Sequence, residues 1–329
     1  MKFSTSVFLF FFLFNSSCED NFNYKLKYEG ETGQPEDISL NSLTPEVNFH
    51  LDINPGDGIF ILDTGSPMNV FDKGHYDSET GEKYIDSSGL GLFFPELRWI
   101  CDDIFEDSFK ISGLIGGDVF TNFNWILDYG SENFTLLPKN SNLQRENSEV
   151  TIPFELKGGG IYQLSNNEKV KVGATRHIFK INVEGLSVKA LLDTGASYVV
   201  LSQSAYNKLD NTDRPQYGTT EVVTVTGKIN APLTEFSSID FEKSYISVSQ
   251  HNIKGVIVPD SFLKPLEDET GVKIKMLLGG SFLSNFRLRF DEKAHKVYVK
   301  VINKKQKYSS LIPKSVHIYK PVYNNIENK

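Results

Sequence analysis

Apolar and polar residues alternate with period two at Phe49, Leu51 and Ile53, and again at Phe179, Ile181 and Val183. Successive strand residues point to opposite faces, so this alternation marks a strand with one buried side. A turn follows each: Asn54-Pro55-Gly56-Asp57-Gly58 in the first stretch, Glu184-Gly185 in the second. A second apolar strand then runs into Ile61-Leu62-Asp63-Thr64-Gly65-Ser66 in one case and Leu191-Leu192-Asp193-Thr194-Gly195-Ala196-Ser197 in the other. Each segment reads as a hairpin that ends on the same phrase. Laid over one another at an offset of 130, residues 47–63 and 177–193 align without a gap, and Val70, Phe71 and Tyr76 fall on Val200, Leu201 and Tyr206.

A second phrase is also doubled. Leu114-Ile115-Gly116-Gly117 is answered by Leu277-Leu278-Gly279-Gly280, each followed by an Asn-Phe pair and then by Leu127-Asp128 or Phe290-Asp291. The offset is now 163, so the second half is longer between its two phrases. Two phrases in the same order in both halves imply an internal duplication. The expected organisation is a leader at 1–17, a first lobe at 18–140, a second at 141–303 and an unassigned basic tail at 304–329. Val150–Leu156 should begin the second lobe, after a linker rich in Asn, Ser and Glu. Short strands and frequent turn signals predict mostly-β lobes, with a short helix over Ser202–Leu209. The double glycines read as places where backbone passes close to backbone.

Composition narrows the setting. A chain of 329 residues with 39% hydrophobic and 23% charged residues is long enough for two cores. A net charge of −8 gives a nucleic-acid partner no electrostatic support. Lys2, the apolar run Val7–Phe14 and the small residues Ser16-Ser17 before Cys18 describe a secretory leader. The run is too short to span a bilayer, which takes ~20 residues. The segment resembles a bacterial lipoprotein signal with Cys18 as the lipidated residue, although Asn15 departs from the usual aliphatic residue. An exported, membrane-anchored protein of the cell envelope is expected. Cys101 would then stand alone, as a small buried hydrophobe, and no disulfide would form.

An aspartate held twice at a strand end suggests paired carboxylates. If the halves pack about an approximate two-fold axis, Asp63 and Asp193 meet at the seam. Two carboxylates ~3 Å apart cannot both ionise cheaply, so they share a proton. The charged member can then take a proton from water while the protonated member donates to a substrate carbonyl. Both halves resemble the aspartic peptidases of the pepsin and retropepsin group, whose apolar-Asp-Thr-Gly and apolar-apolar-Gly phrases they carry. The second half is particularly similar to bacterial retropepsin-type domains through Leu277–Leu283. The resemblance implies an all-β fold of two pseudo-symmetric β-barrel lobes with the active site between them. It implies a monomeric endopeptidase with Asp63 and Asp193 as the catalytic pair. Thr64 and Thr194 would bond across the axis, Gly65 and Gly195 would complete the loops, and Ser66 and Ser197 would help to orient the carboxylates. It also implies a flap, for which Val222–Ala231, turning at Thr226-Gly227, is the candidate; Ser87-Ser88-Gly89 would tip a shorter one in the first half.

Two other readings stay open. One is a peptide-binding or scaffold lipoprotein that kept the fold without turnover, suggested by a pared-down first lobe and Pro67 after Ser66. The other pairs second lobes between chains, leaving the first as an appendage. The six histidines show no ligand spacing, so neither a metal nor any other cofactor is expected, and the partner is a peptide or protein substrate.

Overall fold

The computed structural model describes residues 26–41, 43–50, 57–72, 92–94, 97, 99–102, 111–163, 169–209, 214–224, 227–242, 248–302 and 316–317. The leader with Cys18, the first flap candidate at 87–89, Thr226 and the side chain of Cys101 lie outside them.

The first half lays down β1 (Pro35–Asp37), β2 (Ser39–Asn41), β3 (Thr44–His50), β4 (Asp57–Leu62), β5 (Asn69–Asp72), β6 (Trp99–Asp102) and β7 (Ile111–Ile115). A single turn, α1 (Gly117–Phe120), leads to β8 (Phe123–Asp128) and β9 (Asn133–Pro138). The second half repeats the plan with β10 (Val150–Pro153), β11 (Glu155–Lys157), β12 (Arg176–Val183), β13 (Leu186–Leu192) and β14 (Val199–Ser202). It then adds α2 (Gln203–Tyr206), β15 (Gln216–Thr224), β16 (Gly227–Phe241), β17 (Gln250–Val258) and α3 (Asp260–Thr270). It closes with β18 (Ile274–Leu278), α4 (Gly280–Leu283), β19 (Phe286–Asp291) and β20 (Lys296–Val301).

The duplication is visible in the pairing. Strand β4 runs parallel to β7, Leu62 beside Ile115, while β5 runs antiparallel to the same strand, Val70 beside Leu114. Strands β13 and β14 flank β18 alike, with Leu192 beside Leu278 and Val200 beside Leu277. The central strand of each half thus passes behind the loop that carries its aspartate. The glycine after that strand has no room for a side chain: a Cβ on Gly116 would lie 2.1 Å from the Met68 carbonyl oxygen, and one on Gly279 2.1 Å from that of Tyr198. The close approach expected of these glycines is there.

One expected alignment is corrected. Glu46 of β3 pairs with Ile61, whereas Ile178 of β12 pairs with Leu191. Since Ile61 and Leu191 each precede their aspartate by two, Glu46 matches Ile178, and the offset in this strand is 132 rather than 130. The cause is hairpin length. The second hairpin closes on Glu184-Gly185, both at positive φ (50° and 92°), as a two-residue turn requires. The first closes the pair His50–Asp57 over a longer loop. A shift of two keeps every side chain on its face, which is why alternation alone could not detect it. The hairpin of β15 and β16 also turns one residue early: Thr224 pairs with Gly227, so Gly227 opens the returning strand.

A third sheet of six strands, ordered β10-β20-β19-β8-β9-β1, takes three strands from each half. At its centre Trp125 of β8 opposes Phe290 of β19, and Ile126 opposes Arg289. The rings of Trp125 and Phe290 stack 3.7 Å apart and 6° from parallel. Trp125 is fully buried, and one apolar cluster runs from Phe60 and Phe71 through it to Phe282 and Phe286. Burying each such side chain stabilises by about 1.5–3 kcal/mol.

Candidate active site

Each aspartate stands where its strand leaves the ladder. Asp63 donates its backbone N–H to the Ile115 carbonyl at 2.9 Å, and Asp193 to the Leu278 carbonyl at 3.1 Å. The loops then tighten alike, Ser66 N–H to Asp63 O and Ala196 N–H to Asp193 O, both 3.2 Å. Gly65 N–H donates to Asp63 Oδ1 at 2.7 Å, which fixes that carboxyl's orientation.

The two loops are locked together by a reciprocal set of hydrogen bonds. Thr64 N–H donates to Thr194 Oγ1 at 3.0 Å, and Thr194 N–H to Thr64 Oγ1 at 3.1 Å. In turn the Thr64 hydroxyl donates to the Leu192 carbonyl at 3.0 Å, and the Thr194 hydroxyl to the Leu62 carbonyl at 2.5 Å. Every polar atom of both threonine tips is thereby used by the opposite half. The glycines are crossed as well: a Cβ on Gly65 would lie 2.5 Å from Asp193 Oδ1, and one on Gly195 2.6 Å from Asp63 Cγ. Any other residue at either place would push a carboxyl aside.

Asp63 is fully buried and Asp193 is 3% exposed. Burial first, then the charge of Asp193, holds the Asp63 carboxyl well above the usual carboxylate range. The Gly65 N–H and the Arg176 guanidinium pull the other way. A buried carboxyl pair of this kind holds one proton between its members over a wide pH interval.

Asp63, Thr64 and Gly65 therefore meet Asp193, Thr194 and Gly195, as the repeated phrase predicts. The two serines do not take the expected part. The Ser66 hydroxyl donates to the Met68 carbonyl at 2.6 Å and closes its own loop, while Ser197 Oγ is buried with no partner among the described residues. Sequence reasoning missed Arg176 and Glu269. Arg176 Nη1 donates to the Gly65 carbonyl, and its Nε and Nη2 each lie 2.8 Å from a Glu269 carboxylate oxygen. No local pattern joins residues 93 apart in the chain, and Arg176 shares its strand parity with Lys180 and Asn182, so alternation reads it as outward.

Residues 179–282 match the family described as Aspartyl protease. Among solved structures the chain is similar to a retropepsin-like aspartic protease from Rickettsia conorii, at 19% identity over 48% of this chain and 95% of that one, with a TM-score of 0.28. No curated protein matches the chain.

Proposed function

Taking as premise that residues 179–282 carry an aspartyl-protease domain of the retropepsin type, we propose that the chain is an aspartic endopeptidase with one active site. In this reading 18–140 and 141–303 are two lobes that each supply an aspartate to the seam. The observation that carries the reading is the pair itself: Asp63 and Asp193, each packed on the loop glycine of the other half and held by the threonine lock from both halves. Water between the carboxyls is the nucleophile. The charged aspartate takes its proton, and the protonated one donates to the peptide carbonyl as the tetrahedral centre forms. Neither a covalent intermediate nor a metal enters the chemistry. The long β15–β16 hairpin, whose last pair is Thr224 with Gly227, serves as the flap over an extended peptide.

Cleavage requires one proton on the pair, so it should be fastest at acidic to mildly acidic pH and blocked by statine-type inhibitors. Digestion of a peptide library by the wild type beside Asp63→Asn and Asp193→Asn tests this. Both variants should be inactive; full activity in either would refute the shared-proton mechanism. The leader composition further supports export with a lipid on Cys18. Labelled fatty acid should enter the wild type and not Cys18→Ser.

A further inference from the structure

The two halves repeat each other at the aspartates but not in the charge beside them. Arg176 lies on β12 of the second half, and its side chain is 2% exposed. It reaches across the seam to the carbonyl of Gly65, the residue whose N–H orients Asp63. The guanidinium is forked: Nε and Nη2 face Glu269, near the end of α3, and Nη1 faces the loop. The ion pair therefore stands with its positive end toward Asp63 and its negative end away. Space for it comes from Gly158, at φ +75°, where a Cβ would lie 2.8 Å from Glu269 Oε1 and 2.9 Å from Arg176 Cγ.

The mirrored place in the first half can be identified from the ladders. Lys157 pairs with Arg176 as Asn41 pairs with Thr44. The neighbours agree: Thr175 packs on Gly117 as Leu43 packs on Gly280. Thr44 is uncharged, and its hydroxyl donates to the Asn41 carbonyl at 2.6 Å, within its own hairpin. A cation thus stands on one side of the seam where the other side has a threonine.

We propose that Arg176 is a positioning residue that stabilises the singly charged state of the Asp63–Asp193 pair and so sets the pH at which the pair gives up its first proton. This rests on the endopeptidase reading for its consequence but not for its measurement. The charged groups acting on Asp63 are Asp193, across the seam, and Arg176, with Glu269 behind it. A cation this close to a carboxyl lowers the pH of ionisation, against a burial effect that raises it. Without Arg176, the pair would keep both protons to higher pH, and cleavage would fail in the acid range where a charged aspartate is needed.

The test is a titration of the full chain labelled with 13C at the aspartate carboxyls, the pair's signals being identified by their loss in Asp63→Asn and Asp193→Asn. In Arg176→Gln/Glu269→Gln, which removes both members of the buried ion pair, the first ionisation of the pair should move up by about one pH unit or more. Arg176→Lys should hold it near the wild-type position. Glu269→Gln alone, which removes the carboxylate facing the guanidinium, should move it down. If the double variant does not fold, the sign of the single Glu269→Gln shift decides. An unmoved titration in folded Arg176→Gln/Glu269→Gln, an unmoved one in Glu269→Gln, or a Lys variant that shifts as far as the neutral one, overturns the proposal. Peptide digestion by the same proteins reports separately: a wild type that never cleaves sinks the endopeptidase reading and leaves the titration to judge Arg176. In an active enzyme, the acid limb of the pH profile should move with the carbon signals.

Discussion

At the scale of single residues, the threonines carry more than their size suggests. Replacing Thr194 by Val removes the acceptor for Thr64 N–H and the donor to the Leu62 carbonyl, both buried. An orphaned buried group costs about 1–3 kcal/mol. Thr194→Val should therefore lower the melting temperature by several degrees, and Thr64→Val by a similar amount because the bonds are reciprocal. The double variant should lose less than the sum, since the two hydroxyls also meet each other at 3.4 Å, a contact that either single change already removes. Strict additivity in thermal melts would show that the lock is not cooperative. Both aspartates and both threonines were legible because a repeated phrase announces itself. Ser66, Ser197 and Arg176 were not, because which atom a side chain touches depends on neighbours far along the chain. Glu46 is a second case of burial overriding type: it sits on β3 with its carboxyl pushed up to about 7. A carboxyl whose folded value is raised binds more protons folded than unfolded, so its contribution falls as pH rises from about 4.5 to 7. Glu46→Gln should flatten the fall in melting temperature over that interval. A wild-type slope retained in the variant would remove Glu46 as its source.

At the scale of elements, glycine spacing proved the more reliable signal and hairpin register the less. Gly116 and Gly279 sit against backbone, which cannot yield, so Gly116→Ala should abolish soluble folded protein. Gly173 has nothing within 4 Å of its would-be Cβ, and Gly173→Ala should be nearly neutral. Equal yields of the two in a soluble-expression assay would contradict the crossing of loop and strand. Register escaped because loop length between strands shifts pairing in steps of two without changing the apolar pattern. The helix α3 escaped for another reason. Leu263, Leu266 and Thr270 face inward at helical spacing, and Gly271 ends it at φ 65°. Pro265 in the interior hid that pattern, since proline usually breaks a helix. The short helix α2 was legible: Ser202 caps it by accepting from Ala205 N–H.

At the scale of the whole molecule, the six-stranded sheet was invisible to motif reasoning, because β8 and β19 pair across the two halves and no local pattern joins them. Trp125 is the measure of that union. It stacks on Phe290 and donates its indole N–H to Glu292 Oε1 at 2.8 Å. Trp125→Ala should cost about 3–5 kcal/mol, read as a fall in the denaturation midpoint. A loss under about 1 kcal/mol would mean that the halves are stabilised separately. Residues 150–303 alone would bare the edge of β19 that β8 covers, and a bare edge invites pairing with a second copy. Self-association of that fragment with peptide cleavage would favour pairing between chains over a single-chain dyad. The crossed packing has a further consequence. The backbone at Leu43 sits over Gly280 and Thr175 sits over Gly117, so each half is the lid of the other's tightest turn. Neither half can melt without uncovering its neighbour, and calorimetry should record one endotherm rather than two. A protease digesting this chain from outside would find no stable half-product, only the intact molecule or its small fragments.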